Sequence, residues 1–171
     1  MTHPKRGDTF ALAITLRTEK NCYAVLVDET GSRYFPIIIT DPHLNVLEKV
    51  LPLPPKERNA GITDLGILSS FCYLMDMLGC QTDGVVIQWD DGGHGFDCHM
   101  NIFQENEVDS CMMALLIPMF EAPLVAAITG CPFHLYETER RHIALTLDES
   151  AEGKDIKEAV VNDIVKREKT I

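Results

Sequence analysis

The sequence predicts an α+β fold: a mixed, largely antiparallel sheet built from hairpins, packed with two internal helices plus a C-terminal helix. Three observations predict it. Strand-like runs arrive in hairpins with tight turns between them, not as strict strand–helix–strand units. Two internal stretches, near 63–78 and 120–129, carry apolar residues at helical spacing and each ends on a glycine. Apolar residues make up 46% of a 171-residue chain, enough for one sizeable core. The domain is expected over 8–147, with 148–171 as an acidic/basic linker and C-terminal helix.

Taken in order, Phe10 to Thr18 alternates loosely, with Phe10, Leu12, Ile14 and Leu16 on one side, and reads as a strand. Glu19-Lys20-Asn21 turns into a second strand, Tyr23 to Asp28. Thr30-Gly31 marks the next tight turn, and Arg33 to Ile39 is a third strand. Pro36 inside it donates no N–H, which places it at an edge or a bulge. Thr40 or Asp41 caps a helix with Pro42 in its first turn and Leu44, Leu47 and Leu51 along one side. Leu51 to Arg58 holds three prolines and reads as a loop.

A helix is expected from Thr63 or Asp64. Its wide stripe of Leu65, Leu68, Phe71, Cys72, Met75 and Leu78 predicts a central, buried helix ended by Gly79. Asp83-Gly84 leads into a strand over Val85–Trp89, and Asp90 to Gly95 is a hairpin loop returning through Phe96–Phe103. Glu105 to Asp109 is a polar connection, and Ala114–Ile117 is a short strand. Phe120–Thr129 is a helix stopped by Gly130 and Pro132, followed by a strand at Phe133–Leu135. After an acidic–basic loop, Glu137 to His142, Ile143–Leu147 adds a short strand. Lys154–Lys169 is a helix with Ile156, Val160 and Ile164 one turn apart.

Charge is the most uneven property of the chain. The formal net charge is −11, yet Asn59 to Glu139, 81 residues, contains no Lys or Arg and twelve acids. Average composition would make about one residue in eight basic. Affinity for nucleic acid comes largely from Lys and Arg on phosphates, so a nucleic acid would have to use the two ends of the chain, a partner subunit or bound metal. No apolar run nears the roughly 20 residues that cross a bilayer, and MTHPKRGDTF has no apolar h-region. The six cysteines are scattered, without a C-x-x-C pair. A cytoplasmic protein with reduced thiols and no membrane association is expected from these features, and self-association is the expected partnership.

Two groupings carry candidate chemistry. Asp90, Asp91, His94, Asp97 and His99 form the densest set of oxygen and nitrogen ligands, although an Asp/Gly-rich hairpin needs such residues for turning alone. Asp64 and Glu121 each open a helix. Carboxylates at helix N-termini offset orphan N–H groups; the functional alternative is that the two acids converge on one cleft. Cys98 and Cys111 lack a neighbouring base in sequence.

Three segments resemble the bifunctional nuclease family, a small α+β domain. Arg33-Tyr34-Phe35-Pro36-Ile37-Ile38-Ile39 is similar to the family's R-x-L-P-I-W-I strand, and Ile62-Thr63-Asp64-Leu65 is similar to its T-H-D-L helix opening. Leu116 to Phe133 is similar to its S-R-P-S-D-A-[IV] segment and the helix ending T-G-A-P-[IL], with Glu121-Ala122 on D-A and Thr129-Gly130-Cys131-Pro132 on the ending. The segments span about residues 8–147 in the family's order. The resemblance implies hydrolysis of RNA and DNA phosphodiesters using a divalent metal (Mg or Mn), with Asp64 and Glu121 as catalytic residues and metal ligands.

The departures bear on activity. Ile117, Pro118, Met119 and Phe120 stand where the family has Ser, Arg, Pro and Ser, and Thr63 stands against the His of T-H-D. The lost polar groups are phosphate contacts that such a reaction uses. Arg33, Arg58, Arg140 and Arg141 are the side chains that could fold back to replace them. The expectation is therefore a divergent nuclease-like domain with weak or lost activity. The alternatives are a non-catalytic homo-oligomeric regulatory or scaffold module, and a small-molecule-binding domain using the space between the internal helices.

Overall fold

The computed structural model describes residues 7–58, 67–90, 92, 95–105, 110–137, 142–147 and 155–170. Two antiparallel meanders form most of one sheet. The first is β1 (Asp8–Arg17), β2 (Cys22–Asp28) and β3 (Arg33–Ile39); the second is β4 (Gln81–Trp89), β5 (Phe96–Glu105) and β6 (Ser110–Leu116). β7 (Phe133–Tyr136) lies between them, antiparallel to β1 and parallel to β4, and β8 (Leu145–Thr146) pairs with the start of β3. The order is β6-β5-β4-β7-β1-β2-β3-β8, a mixed and mostly antiparallel sheet as expected for α+β. Pro36 lies past the end of the β8 pairing, where β3 has an open side.

The helices are α1 (Asp41–Val50), α2 (Pro55–Arg58), α3 (Ile67–Met77), α4 (Ala122–Thr129) and α5 (Ile156–Thr170). Thr40 caps α1, with its hydroxyl accepting from the His43 N–H. α4 ends on Gly130 at φ 69°, the left-handed stop its sequence predicts. Between α1 and α3 the proline-rich loop closes one helical turn, α2, because Pro55 supplies the helical φ at a position that needs no N–H donor.

α1 and α4 cover one face of the sheet. Leu44, Leu47, Val50, Leu124 and Ile128 meet Phe10, Leu26, Phe35, Ile37, Val85, Ile87, Phe133 and Leu135 in one cluster. Burying each of these larger side chains contributes roughly 1.5–3 kcal/mol. α3 departs from expectation. Phe71 and Met75 pack with Met100, Ile102 and Val125, but Tyr73, Leu74, Met77 and Leu78 are exposed. Of the expected stripe, Phe71 and Met75 are packed and Leu78 is exposed, Leu65 lies outside the described residues, and Tyr73, Leu74 and Met77, off the stripe, give α3 an exposed apolar side.

α5 covers the opposite face, over the first meander only. Val160 and Ile164 pack on Ile14, Tyr23, Val25, Val27 and Tyr34. β2 is consequently buried on both faces, and its run Tyr23–Val27 is apolar throughout. Polar clamps hold the helix down. Tyr34 donates to Asp163 Oδ2 at 2.6 Å; Tyr23 and Thr18 donate to Glu168 Oε1 at 2.7 and 2.9 Å. Burial works against the Asp163 carboxylate, but donors from Tyr34 and Arg167 outweigh it and hold its pKa below the ordinary value. The Tyr23 hydroxyl is the main cause that lowers the Glu168 pKa.

Groups depressed in the folded state add stability above their unfolded pKa values, 3.8 and 4.5 here, and lose it as pH falls through the folded values. Melting temperature should therefore fall between pH 6 and pH 3, and the fall should be shallower in Asp163→Asn/Glu168→Gln. Equal slopes for the two proteins, measured by circular dichroism, would remove these clamps as its cause.

Candidate functional site

The N-terminal ends of α1 and α4 meet. Both follow strands of the same sheet, so both start at that sheet's margin and run back across the same face. The His43 ring, in the first turn of α1, stacks edge-on against Phe120, one residue ahead of the Glu121 cap, with ring centroids 5.5 Å apart. Asp41 beside it pairs with Arg17 and accepts from the buried Cys22 thiol at 3.2 Å. That thiol, and then Arg17, hold the Asp41 pKa below the ordinary carboxylate value. Burial, reinforced by Asp41, pushes the Cys22 thiol up. Arg17 also donates to Asn45 Oδ1 at 3.2 Å.

Glu121 is the N-cap of α4 by position, with φ −91° and ψ −22°. Its carbonyl accepts from Leu124 and Val125 at 3.0 and 3.1 Å, but its side chain makes no capping hydrogen bond. The capping role that would account for an acid here is therefore unused, and Glu121 stands half-buried at the head of a helix whose residues 122–128 are buried. Asp64, the other predicted site acid, lies outside the described residues. Among the described residues no three His, Cys, Asp or Glu side chains converge where they could hold a metal ion.

The acidic hairpin divides similarly. Asp90 is occupied in its turn, accepting the Gly92 N–H at 2.8 Å while its own N–H donates to the Gly95 carbonyl at 2.9 Å. Asp91 and His94 lie outside the described residues. Asp97 is exposed, and His99 is half-buried across from Val86. Cys98 is a buried thiol whose pKa is pushed up to about 12 by desolvation, and Cys131 is raised by the same cause. Cys22, Cys80, Cys98 and Cys131 are free thiols.

Two of the four arginines available to replace lost phosphate contacts are engaged elsewhere. Arg58 donates to the carbonyls of Leu51, Leu53 and Ala127 at 3.2, 2.9 and 2.9 Å, which gathers the C-terminal ends of α1 and α4 onto one guanidinium. It sits at the far end of α4 from Glu121. Arg33 lies against the Phe10 ring and binds Asp8 at 2.8 Å and Glu137 at 2.5 Å. Arg140 and Arg141 are outside the described residues.

Sequence reasoning found Glu121 through its position at a helix start. It missed His43, Arg17 and the Phe120 contact. Thr40 ahead of His43 signals a cap, but nothing local signals a ring contact between two helices far apart in the chain. No helix among the described residues is long and apolar enough to cross a membrane. No protein-family model matches this chain, and no curated protein matches it at a significant level.

Proposed function

We propose that the chain is a divergent bifunctional-nuclease-like domain whose phosphodiester hydrolysis is weak or lost. One observation supports this above the rest: Arg17, Arg33 and Arg58, which could stand in for missing phosphate contacts, are committed to carboxylates and helix carbonyls. A phosphodiester brings negative charge, and the middle of the chain has twelve acids and no Lys or Arg to meet it. Asp64 and Glu121 are the carboxylates that a divalent ion, Mg or Mn, would use. An ion held by two carboxylates is near neutral overall and leaves little positive charge for the transition state.

Each missing donor to a developing anion costs about 3–4 kcal/mol, or 10²–10³ in rate, and at least two are absent relative to the family pattern. Purified protein is expected to leave single-stranded RNA and DNA essentially intact in millimolar Mg or Mn. The comparison is Asp64→Asn/Glu121→Gln. Robust cleavage that disappears in that variant would establish an active nuclease and overturn the reading. Cleavage equal in both would identify a contaminant.

The non-catalytic oligomeric reading is favoured by a separate observation, the concentration of exposed apolar side chains on α3 and β6.

A further inference from the structure

β6 is the outer strand at one end of the sheet, and its sequence, Ser-Cys-Met-Met-Ala-Leu-Leu, carries no charge. Edge strands of soluble proteins normally carry Lys, Pro or a bulge that discourages further pairing. None is present here. Of the eleven exposed large apolar residues among the described residues, seven lie on β6 and on α3 with its following turn: Met112, Met113, Leu116, Tyr73, Leu74, Met77 and Leu78, each 53–79% exposed. α3 packs over β5 and β6 through Phe71 and Met75, and the Leu78 carbonyl is held by Gln104 of β5 at 2.9 Å. Helix and edge therefore lie together at this end of the sheet.

The backbone of β6 fixes how a partner strand can add. Ile117 donates its N–H to the Cys98 carbonyl, so by strand alternation Leu115, Met113 and Cys111 turn their backbone groups toward β5. Ser110, Met112, Ala114 and Leu116 then turn theirs to the open side. An antiparallel strand hydrogen-bonds residue to residue with these four.

We propose that the partner is β6 of a second copy, paired antiparallel about a two-fold axis through Met113. In that register Met112 faces Ala114 and Ser110 faces Leu116, in both directions, so all four open positions of each strand are matched. Met113 faces its own counterpart as a non-hydrogen-bonded pair. Large Met112 opposite small Ala114 fits one face of the joined sheet. The axis is perpendicular to the sheet, so both α3 helices fall on the same face and flank the joint.

Three arguments select a second copy. β6 carries no charge, so pairing it with itself sets no like charges face to face even in a chain of net charge −11. Met113 lies on the α3 side of the sheet with Tyr73, Leu74, Met77 and Leu78, and Met112 and Leu116 lie on the other side, so pairing at this edge brings exposed apolar side chains of two copies together on both faces. The other end of the sheet does not match: β8 has only two residues and β3 carries Pro36, so β6 pairs with its like and closes a dimer instead of a filament.

Sedimentation equilibrium of the full chain at micromolar concentration should give twice the monomer mass. Ala114→Pro removes one N–H that faces outward and none that faces β5, so the variant should keep its circular dichroism spectrum while its dimer Kd rises about tenfold or more. Met113→Cys should form an intersubunit disulfide in air, because facing Cα atoms of such a pair stand about 4.5 Å apart. Met112→Cys, opposite Ala114, should not. A monomeric wild type would overturn the proposal and leave the surface to a different protein. A dimer untouched by Ala114→Pro, or equal cross-linking at 112 and 113, would overturn the edge pairing.

Discussion

Gly84→Ala is expected to destabilise the protein by about 3 kcal/mol, which lowers the melting temperature by about 6–12 °C in a domain of this size. Gly84 lies in β4 where the buried His134 ring of β7 crosses it. A methyl group on Gly84 would stand 2.6 Å from His134 Cδ2, 2.7 Å from Nε2 and 2.9 Å from the Pro132 carbonyl oxygen. The imidazole is 8% exposed and lies on the parallel β4–β7 joint. The carbonyl is fixed by the Val85 N–H at 2.9 Å. Neither can move without opening the strand pair that joins the two meanders. Thermal melts of Gly84→Ala and Gly84→Ala/His134→Ala test this. The second substitution should recover part of the loss, since the ring is one of the two obstacles. A single variant within about 0.5 kcal/mol of wild type, as at an ordinary surface site, would show that the strands separate easily.

Glu137→Leu should cost about 3–5 kcal/mol, the range for stranding one partner of a buried charged network. The Glu137 side chain is 10% exposed and serves three groups at once: Arg33 at 2.5 Å through Oε2, and the backbone N–H groups of Ile143 and Ala144 at 2.8 and 2.7 Å through Oε1. Leucine fills the space but leaves both N–H donors without this acceptor and Arg33 with Asp8 alone from its pair of carboxylates. Glu137→Gln keeps a carbonyl oxygen for the two N–H groups and loses the charge and the acceptor that Arg33 uses, so it should cost about half as much. Urea denaturation of both variants separates the contributions. Equal losses would assign the whole effect to the ion pair and none to the anchoring of residues 143–144.

Chain-local chemistry explains which parts of this architecture were readable in advance. Gly31, Gly79 and Gly130 each adopt φ near +70°, and each was legible as the end of a hairpin or helix, because a left-handed residue after a periodic run has few other uses. Asp83-Gly84 misled for the same reason. It reads as a turn before a strand at Val85, whereas β4 begins at Gln81 and the register with β5 shifts between Thr82 and Gly84. The position of β7 was not legible, since a four-residue strand has no periodicity that names its neighbours. At the candidate site, Glu121 was visible as a helix opener. The engagement of Arg58 with Ala127, 69 residues away, and of Arg33 with Glu137, 104 residues away, was not, because sequence patterns report neighbours and not distant partners.

The insertion of β7 between the meanders sets the order in which the chain can fold. Each meander is made of sequential hairpins, whose closure is entropically cheap and fast. The joint between them is not sequential: β7 must bind β1 on one side and β4 on the other, and it leaves a ribosome only after both meanders have emerged. A growing chain therefore carries two preformed half-sheets with open edges at β1 and β4 until Phe133–Tyr136 arrives. Closure of that central seam is then expected to set the folding rate, so that in stopped-flow measurements substitutions in β7 should slow folding while those in the outer hairpins chiefly speed unfolding.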